Sequence, residues 1–273
     1  MRQRARLTIT LPEELIKRID LLIDGINVRN RSHAVERLLE KSLEPELKTA
    51  VILAGGKASR LKSPLKKIGN QYLLSLMFDQ LKQYGLTRIV ICTTDELADE
   101  LITRFGDGQT LGLELIYSRE PEPLGTAGAL KFAQDKLPSV PFLVVHGDVL
   151  TDMNITEFIE FHHRQTSWAT IGVKPRLSER SFGRVFLQGN KITQFLSTGS
   201  DQGISIVNTG LYILDPKILN LIKPNQKVFL ETDIFPKLSK KGLLNAFLFQ
   251  GLWYDISSKE SLTEAITAWS NKK

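Results

Sequence analysis

The chain of 273 residues carries one cysteine, four histidines and only 8% aromatic residues. A single thiol cannot form a disulfide within the chain. Cys92 lies in Arg88-Ile-Val-Ile-Cys-Thr-Thr94, an apolar run that reads as a strand, so a buried structural role is expected rather than a reactive one. The histidines show no metal-ligand spacing, and His162-His163 reads as surface or half-buried polar residues on a helix. Long hydrophobic runs are missing too. Pro141-Phe-Leu-Val-Val145 is strand-sized, well short of the roughly 20 residues that span a bilayer, and Met-Arg-Gln-Arg-Ala-Arg at the N-terminus precedes no apolar signal core. No membrane contact and a cytoplasmic location are therefore expected.

What is present is an ordinary globular balance, 42% hydrophobic and 24% charged, with enough length for two domains. The net charge of +6 suits a protein that handles phosphates or nucleic acids without choosing between them. Arg2, Arg4 and Arg6 all precede the first acidic residue, Glu13, so the chain opens on a basic arm or strand.

Residues 4–11 alternate with period two, Leu7, Ile9 and Leu11 against Arg6, Thr8 and Thr10, which predicts a half-buried strand with a polar face. Pro12-Glu-Glu14 opens a helix with Leu15, Ile16, Ile19, Leu22 and Ile23 as its apolar stripe, and Gly25 ends it. A second helix follows Asn30-Arg-Ser32, with Ser32 the expected N-cap and Ala34, Val35, Leu38, Leu39 and Leu43 on one face, until Pro45. One strand and two short helices cannot bury this much apolar surface alone, and a lone strand leaves its backbone groups unpaired. A second copy solves both problems. The order strand, helix, glycine loop, helix resembles the ribbon-helix-helix family over residues 4–44. That resemblance implies a small domain over residues 1–46 and a homodimer or higher even oligomer. It also implies DNA contact through Arg4, Arg6, Thr8 and Thr10, with the start of the second helix near phosphate. A head that only dimerises remains the alternative.

Beyond a short connector the pattern changes to alternating strands and helices over residues 49–273, an α/β fold with a Rossmann-like, mixed but mainly parallel sheet flanked by helices. Strands are expected at 50–54, 88–94, 113–118 and 141–146, and helices at 72–84, 95–105 and 127–136. A Gly189-Asn190 turn joins Arg184–Gln188 to Lys191–Phe195 as antiparallel structure. Ligands of such sheets sit beyond the carboxyl ends of the strands. There fall the turn Gly55-Gly56 with Arg60, the loop Glu122-Pro-Leu-Gly-Thr-Ala-Gly128 and the pair Gly147-Asp148. Glycine admits tight curvature and close approach of backbone N–H groups to phosphate. Asp148, and Asp255 at the end of a late strand, are oxygen ligands suited to Mg²⁺.

Six stretches occur in an order that resembles the sugar-1-phosphate nucleotidyltransferases, most like compact bacterial members such as the heptose- or mannose-1-phosphate guanylyltransferases and the muramate uridylyltransferases. They are Leu53-Ala-Gly-Gly-Lys-Ala-Ser-Arg-Leu61, Phe105-Gly-Asp-Gly108, Glu122-Pro-Leu-Gly-Thr-Ala-Gly-Ala-Leu130, Gly147-Asp-Val-Leu-Thr-Asp152, Val207-Asn-Thr-Gly-Leu-Tyr-Ile-Leu214 and Trp253-Tyr-Asp-Ile256. The resemblance implies that an NTP and a sugar-1-phosphate give an NDP-sugar and pyrophosphate. Asp148 and Asp255 would hold Mg²⁺, and Arg60 would grip the outgoing phosphates. A catalytic lysine is expected at Lys62, with Lys66 as the alternative. Leu53, Ala54, Gly55 and Gly56 would lie along the nucleotide, Gly125, Thr126, Ala127 and Gly128 would line the nucleotide and sugar side, and Asn208 would meet sugar hydroxyls.

Some positions depart from the family pattern. Ala58 stands where a second glycine is usual, Ser257 where a glycine follows the aspartate, and the segment from Arg60 to Gly69 is short. The acidic-then-lysine pair expected after Gln194-Phe195 is replaced by Leu196-Ser197-Thr198, so Lys174 or Arg176 is the expected source of charge for the sugar phosphate. The competing reading is a DNA-binding regulator whose second domain senses a nucleotide or sugar nucleotide without turning it over.

Overall fold

The structure, a computed structural model, describes residues 7–43, 46–55, 63–177, 183–196 and 203–270. Arg4, Arg6, Gly56, Arg60 and Lys62 lie outside the described residues. The chain divides into two compact units, one ending at Glu46 and one beginning at Leu47.

In the first unit, Pro12 starts helix α1 (Glu13–Asp20), its carbonyl accepting the N–H groups of Leu15 and Ile16 at 3.0 and 3.1 Å. The helix ends earlier than its apolar stripe, because Asp24 organises the next turn: its Oδ1 accepts the N–H groups of Ile26, Asn27 and Val28 at 2.9, 2.7 and 2.8 Å. Helix α2 (Arg31–Leu43) is capped by Asn30 rather than Ser32, since Asn30 Oδ1 accepts the His33 N–H at 2.9 Å. Residues 7–11 form no strand in the single chain. Leu7 and Ile9 are 76% and 49% exposed. A ribbon strand needs a ladder partner, and one copy does not contain it.

The second unit is built on a nine-stranded sheet. In chain order its elements are β1 (Thr49–Leu53), the small hairpin β2 (Lys67–Ile68) and β3 (Gln71–Tyr72), α3 (Leu73–Gln83), β4 (Arg88–Thr94), α4 (Asp95–Phe105), β5 (Glu114–Glu120) and α5 (Gly125–Phe132). There follow β6 (Phe142–His146), β7 (Val149–Thr151), α6 (Ile155–His163), β8 (Ala169–Leu177), β9 (Arg184–Gln188), β10 (Lys191–Leu196) and β11 (Ile204–Leu214). A π-helical turn (Leu230–Ile234) runs into α7 (Phe235–Lys240), then β12 (Leu244–Leu248), β13 (Trp253–Asp255) and α8 (Lys259–Ser270) close the unit.

The strand order is β5-β4-β1-β6-β11-β8-β12-β10-β9. The first four strands are parallel, as their continuous apolar runs require of strands covered on both faces. From β11 onward antiparallel pairing enters, including the hairpin of β9 and β10 at Gly189-Asn190. The sheet divides two cores. Ala50 and Ile52 of β1 point into one with Phe78, Leu101 and Phe158 from the helices, and Val51 into the other with Leu130, Ile218 and Phe235.

Cys92 is fully buried in the second core, and burial pushes its thiol well above the ordinary range, as its strand position implies. His162 is more buried than expected. Its Nδ1 lies 2.8 Å from Thr170 Oγ1, and burial pushes its pKa down to about 4, so it is neutral and structural. Among the described residues no helix is long and apolar enough to cross a membrane.

Candidate active site

Parallel strands β1 and β6 run side by side, Leu53 opposite His146, and release their chains at the same edge of the sheet. The Gly147 N–H donates to Leu53 O at 2.9 Å, which stitches the two exits together. A Cβ at 147 would lie 3.1 Å from both Leu53 O and Pro64 Cγ, so glycine is what permits the approach. Over these exits opens a cleft of about 420 Å³ whose wall includes Leu53, Ala54, Gly55, Thr126, His146 and Asp148. Gly125 lines it too. The expected glycine turn, the loop before α5 and the first aspartate thus share one space.

Asp255 arrives from the far end of the chain. Strand β13 pairs antiparallel with β7, Asp255 opposite Val149, and the Ile256 N–H donates to Asp148 O at 2.9 Å. The two aspartates are brought together by this ladder, although 107 residues apart by their numbers (255 less 148). Asp148 is only 8% exposed, and Asp255 Oδ1 accepts the Ser257 N–H at 2.9 Å. Asp148 lines the cleft and Asp255 is joined to it through the backbone of this ladder. Both are hard oxygen donors of the kind that suit Mg²⁺, which takes one or two protein carboxylates and completes its shell with phosphate and water.

The loop before α5 works differently from a simple phosphate cradle. The N–H groups of Ala127 and Gly128 both donate to Val228 O at 3.0 Å, so these helix-start donors are already used. A Cβ on Gly128 would lie 2.6 Å from Gln226 O, and one on Gly125, at φ +77°, would lie 2.6 Å from Val228 O. These glycines let segment 226–229 close over α5. Gly125 and Thr126 face the cleft, whereas Ala127 and Gly128 are buried behind its wall.

Asn208 and Lys174 do not meet. In the ladder between β8 and β11, Asn208 is opposite Val173 and Val207 opposite Lys174, so Asn208 and Lys174 lie on opposite faces of the sheet. Lys174 Nζ donates to Gly251 O, away from the cleft face, and burial with neighbouring Arg176 holds its pKa below the usual lysine range. Asn208, expected to meet sugar hydroxyls, and Lys174, expected with Arg176 to supply charge for the sugar phosphate, therefore do not share one face. Lys66, the alternative catalytic lysine, donates to Ile256 O at 2.9 Å.

On the cleft face Asn208 enters a buried network instead. Between Asn208 and Tyr212 the chain takes four steps while β8 takes two, from Val173 to Ile171, so a bulge folds the strand on itself. Asn208 Nδ2 therefore donates to Tyr212 Oη at 2.8 Å, where a regular strand would hold the two roughly 13 Å apart. Tyr212 donates to Glu231 Oε1 at 3.0 Å, Thr126 Oγ1 donates to Glu231 Oε2 at 2.7 Å, and His146 Nε2 stands 3.4 Å from Glu231 Oε1. Burial acts to raise the pKa of Glu231, but the hydrogen bond and charge of His146 and the Thr126 hydroxyl outweigh it and hold the group below its ordinary value.

A second buried carboxylate stands behind Gly55. Glu120, at the end of β5 and 3% exposed, accepts the Leu124 N–H on Oε2 at 3.0 Å, while Oε1 is buried with no hydrogen-bond partner among the described residues. A Cβ on Gly55 would sit 3.4 Å from that oxygen, so glycine leaves room over it. Burial pushes the Glu120 pKa up to about 7 against the lowering effect of the Leu124 bond. Glu120 and Glu231 are functional candidates that sequence reasoning missed. The only local signal for Glu120 is an acid closing a buried strand, and nothing near Glu231 in sequence marks it.

Residues 49–272 match the family model described as nucleotidyl transferase. The chain belongs to that family. Residues 5–46 match the model of the ribbon-helix-helix protein, copG family. The chain is 32% identical over 222 residues to a mannose-1-phosphate guanyltransferase of Yarrowia lipolytica, covering 76% of this chain and 60% of that protein. It is 31% identical over 241 residues to a UTP–glucose-1-phosphate uridylyltransferase of Synechocystis, covering 80% and 62% respectively. The chain thus spans about three fifths of the length of the curated relatives it matches. Among solved structures it is similar to HddC from Yersinia pseudotuberculosis, solved with GMP-PN, at a TM-score of 0.69 and 27% identity, over 82% of this chain and all of that one. This nucleotidyl transferase family member has relatives whose names differ in both base and sugar, so specificity rests on its own side chains.

Because Gly128 is needed for packing, Gly128→Ala is expected to lower stability by about 1–3 kcal/mol, read in a urea titration. A variant as stable as the parent would show that segment 226–229 yields readily.

Proposed function

We propose that residues 49–273 join a sugar-1-phosphate to the nucleotidyl group of GTP, giving a GDP-sugar and pyrophosphate. The observation that carries this reading is the single cleft shared by Gly55, Gly125, Thr126 and Asp148, with Asp255 beside Asp148 through the ladder of β7 and β13. An oxygen of the sugar phosphate attacks the α-phosphorus. The new P–O bond forms as the α–β bond breaks, and its electron pair leaves on pyrophosphate. Asp148 and Asp255 are the residues that would hold Mg²⁺, whose charge, when it is bound, would offset that of the reacting phosphates. The protein's own part is positioning and electrostatic complementarity. Leu53, Ala54 and Gly55 support the nucleotide from below. Gly56, Arg60 and Lys62 enter on sequence alone, Arg60 for the planar fork that grips phosphate and Lys62 as the catalytic lysine.

The choice of GTP rests on Glu120. A carboxylate accepts hydrogen bonds only, and guanine presents two adjacent donors, N1–H and N2–H. Adenine and cytosine set a donor beside an acceptor that the carboxylate repels, and uracil and thymine offer one donor between two acceptors. Oε1 behind Gly55, without a hydrogen-bond partner among the described residues, suits the guanine pair. On the sugar side, hydroxyls meet Asn208 and His146 on the cleft face, which Tyr212 and Glu231 hold in place.

The head, residues 1–46, pairs two chains through residues 4–11 and presents Arg4, Arg6, Thr8 and Thr10 to DNA. Supporting this are the unpaired extended segment and the exposed Leu7 and Ile9, which a second copy would cover.

The direct test is pyrophosphate release from a panel of NTPs and sugar-1-phosphates with Mg²⁺. GTP is expected to react with at least one sugar phosphate, and Asp148→Asn to abolish release while the protein stays folded. Tight nucleotide binding with no product from any pair would replace transfer by ligand sensing.

Guanine donors favour the ionised form of Glu120, so binding releases a proton from a group that titrates near 7. Affinity for GTP is therefore expected to strengthen about tenfold between pH 6 and pH 8 and then level off, with Glu120→Gln showing weak, pH-independent binding in calorimetry. A flat wild-type profile would remove Glu120 from base recognition.

For the head, Ile9→Asp is expected to convert a dimer into a monomer in sedimentation equilibrium. A wild-type chain that sediments as a monomer at micromolar concentration would contradict the pairing.

A further inference from the structure

Asp255 stands on a strand of three residues whose one ladder is with β7. So short a strand fixes its side chains weakly, yet a carboxylate that receives a metal ion needs a defined position. Around it, cationic side chains from two distant parts of the chain reach main-chain carbonyls. Lys174 Nζ donates to Gly251 O, Arg176 Nη2 donates to Trp253 O at 2.8 Å, and Lys66 Nζ donates to Ile256 O at 2.9 Å. Asp152 completes the hold from the other polarity, its Oδ1 accepting the Leu252 N–H at 2.7 Å. The Arg176 guanidinium also lies 5.3 Å from the Trp253 ring centre and 5.8 Å from that of Tyr254, and Lys174 Nζ lies 5.3 Å from the Phe249 ring centre.

We infer that Lys66, Lys174 and Arg176 form a clamp that positions Asp255 for a divalent cation by gripping the carbonyls of segment 251–256 while leaving the carboxylate available. The inference rests on the metal role proposed above for Asp255. Direct pairing of these cations with the carboxylate would oppose metal binding by neutralising it. Bonding one carbonyl two residues before Asp255 and another one residue after it fixes the backbone on both sides without that competition. Arg176 is the informative member. Its Nε is buried with no partner among the described residues although the side chain as a whole is half-buried, and a buried donor left unpaired costs stability. What it gives in return is its hold on Trp253 and Tyr254.

The test compares wild type with Arg176→Met, Arg176→Lys and Lys66→Met in the full chain, using Mg²⁺ titration of GTP binding by calorimetry and amide hydrogen exchange across residues 251–256. Arg176→Met is expected to raise the half-saturating Mg²⁺ concentration about tenfold and to speed exchange in 251–256. Arg176→Lys should recover part of both effects, and Lys66→Met should speed exchange most near Ile256. Faster exchange with an unchanged Mg²⁺ requirement would overturn the positioning role and leave only a structural tie. Unchanged exchange in Arg176→Met would overturn the clamp itself. If wild type binds GTP with no dependence on Mg²⁺, the proposed metal role of Asp255 fails along with this inference. Exchange then still decides, separately, whether the clamp holds the segment.

Discussion

The close approach of two strand exits is the constraint on which the rest of the cleft depends. Parallel β1 and β6 are covered on both faces, so their side chains are committed to the two cores and their register is fixed. The bond from the Gly147 N–H to Leu53 O joins them where they leave the sheet. Any side chain at 147 would press on Leu53 O and Pro64. Asp148 follows at once and β7 directly after it, so the one contact sets where β7 begins. Strand β13 then takes its position from β7, which carries Asp255 to Asp148. A site drawn from both ends of the second unit is in this way referred to a single turn.

The parallel half of the sheet was legible because its determinants are local. Apolar runs of strand length separated by helical patterns gave 88–94 and 95–105 as observed, and Gly189-Asn190 marked its hairpin. The faces of residues beyond the first half were not legible. Asn208 and Lys174 sit on β11 and β8, which are not among the strands expected from the sequence, and a face is assigned only once the register between them is known, which two extra residues in β11 interrupt. The role of Gly128 was misjudged for a related reason. A glycine that admits phosphate and one that admits a carbonyl are identical in sequence, and here the partner is Gln226, nearly a hundred residues away. In the head, Asn30 and Ser32 are both competent caps, and only the path of the preceding loop, held by Asp24, decides between them.

The cations of the second unit show how charge is distributed around a proposed metal site. Lys66, Lys174 and Arg176 end on carbonyl oxygens, where a charged donor makes a strong hydrogen bond and the acceptor has no charge to lose. They lie behind or beside Asp255, so the cleft face keeps its carboxylates for ions and donors. Strand alternation turns Lys174 and Arg176 to the face opposite Asn208.

Two glutamates near the cleft, Glu120 buried and Glu231 half-buried, are shifted in opposite directions, and the difference separates their proposed tasks. Glu231 has its oxygens engaged by Tyr212 and Thr126, with His146 close by. These partners more than offset the cost of burying the charge, so the group is an anion across the physiological range without any ligand. Its surroundings are complete, and its use is to hold Tyr212, Asn208 and His146 in one arrangement against the sugar. Glu120 has one N–H, from Leu124, and burial prevails, leaving the group close to half-ionised near pH 7. An unpaired buried carboxylate is costly, and a ligand that brings donors relieves that cost on binding. In the proposed base recognition, the free energy would come from donors that reach Glu120, which has one hydrogen bond among the described residues. A base that cannot supply donors would leave the carboxylate as unsatisfied as before and add its own desolvation, which would make discrimination steep.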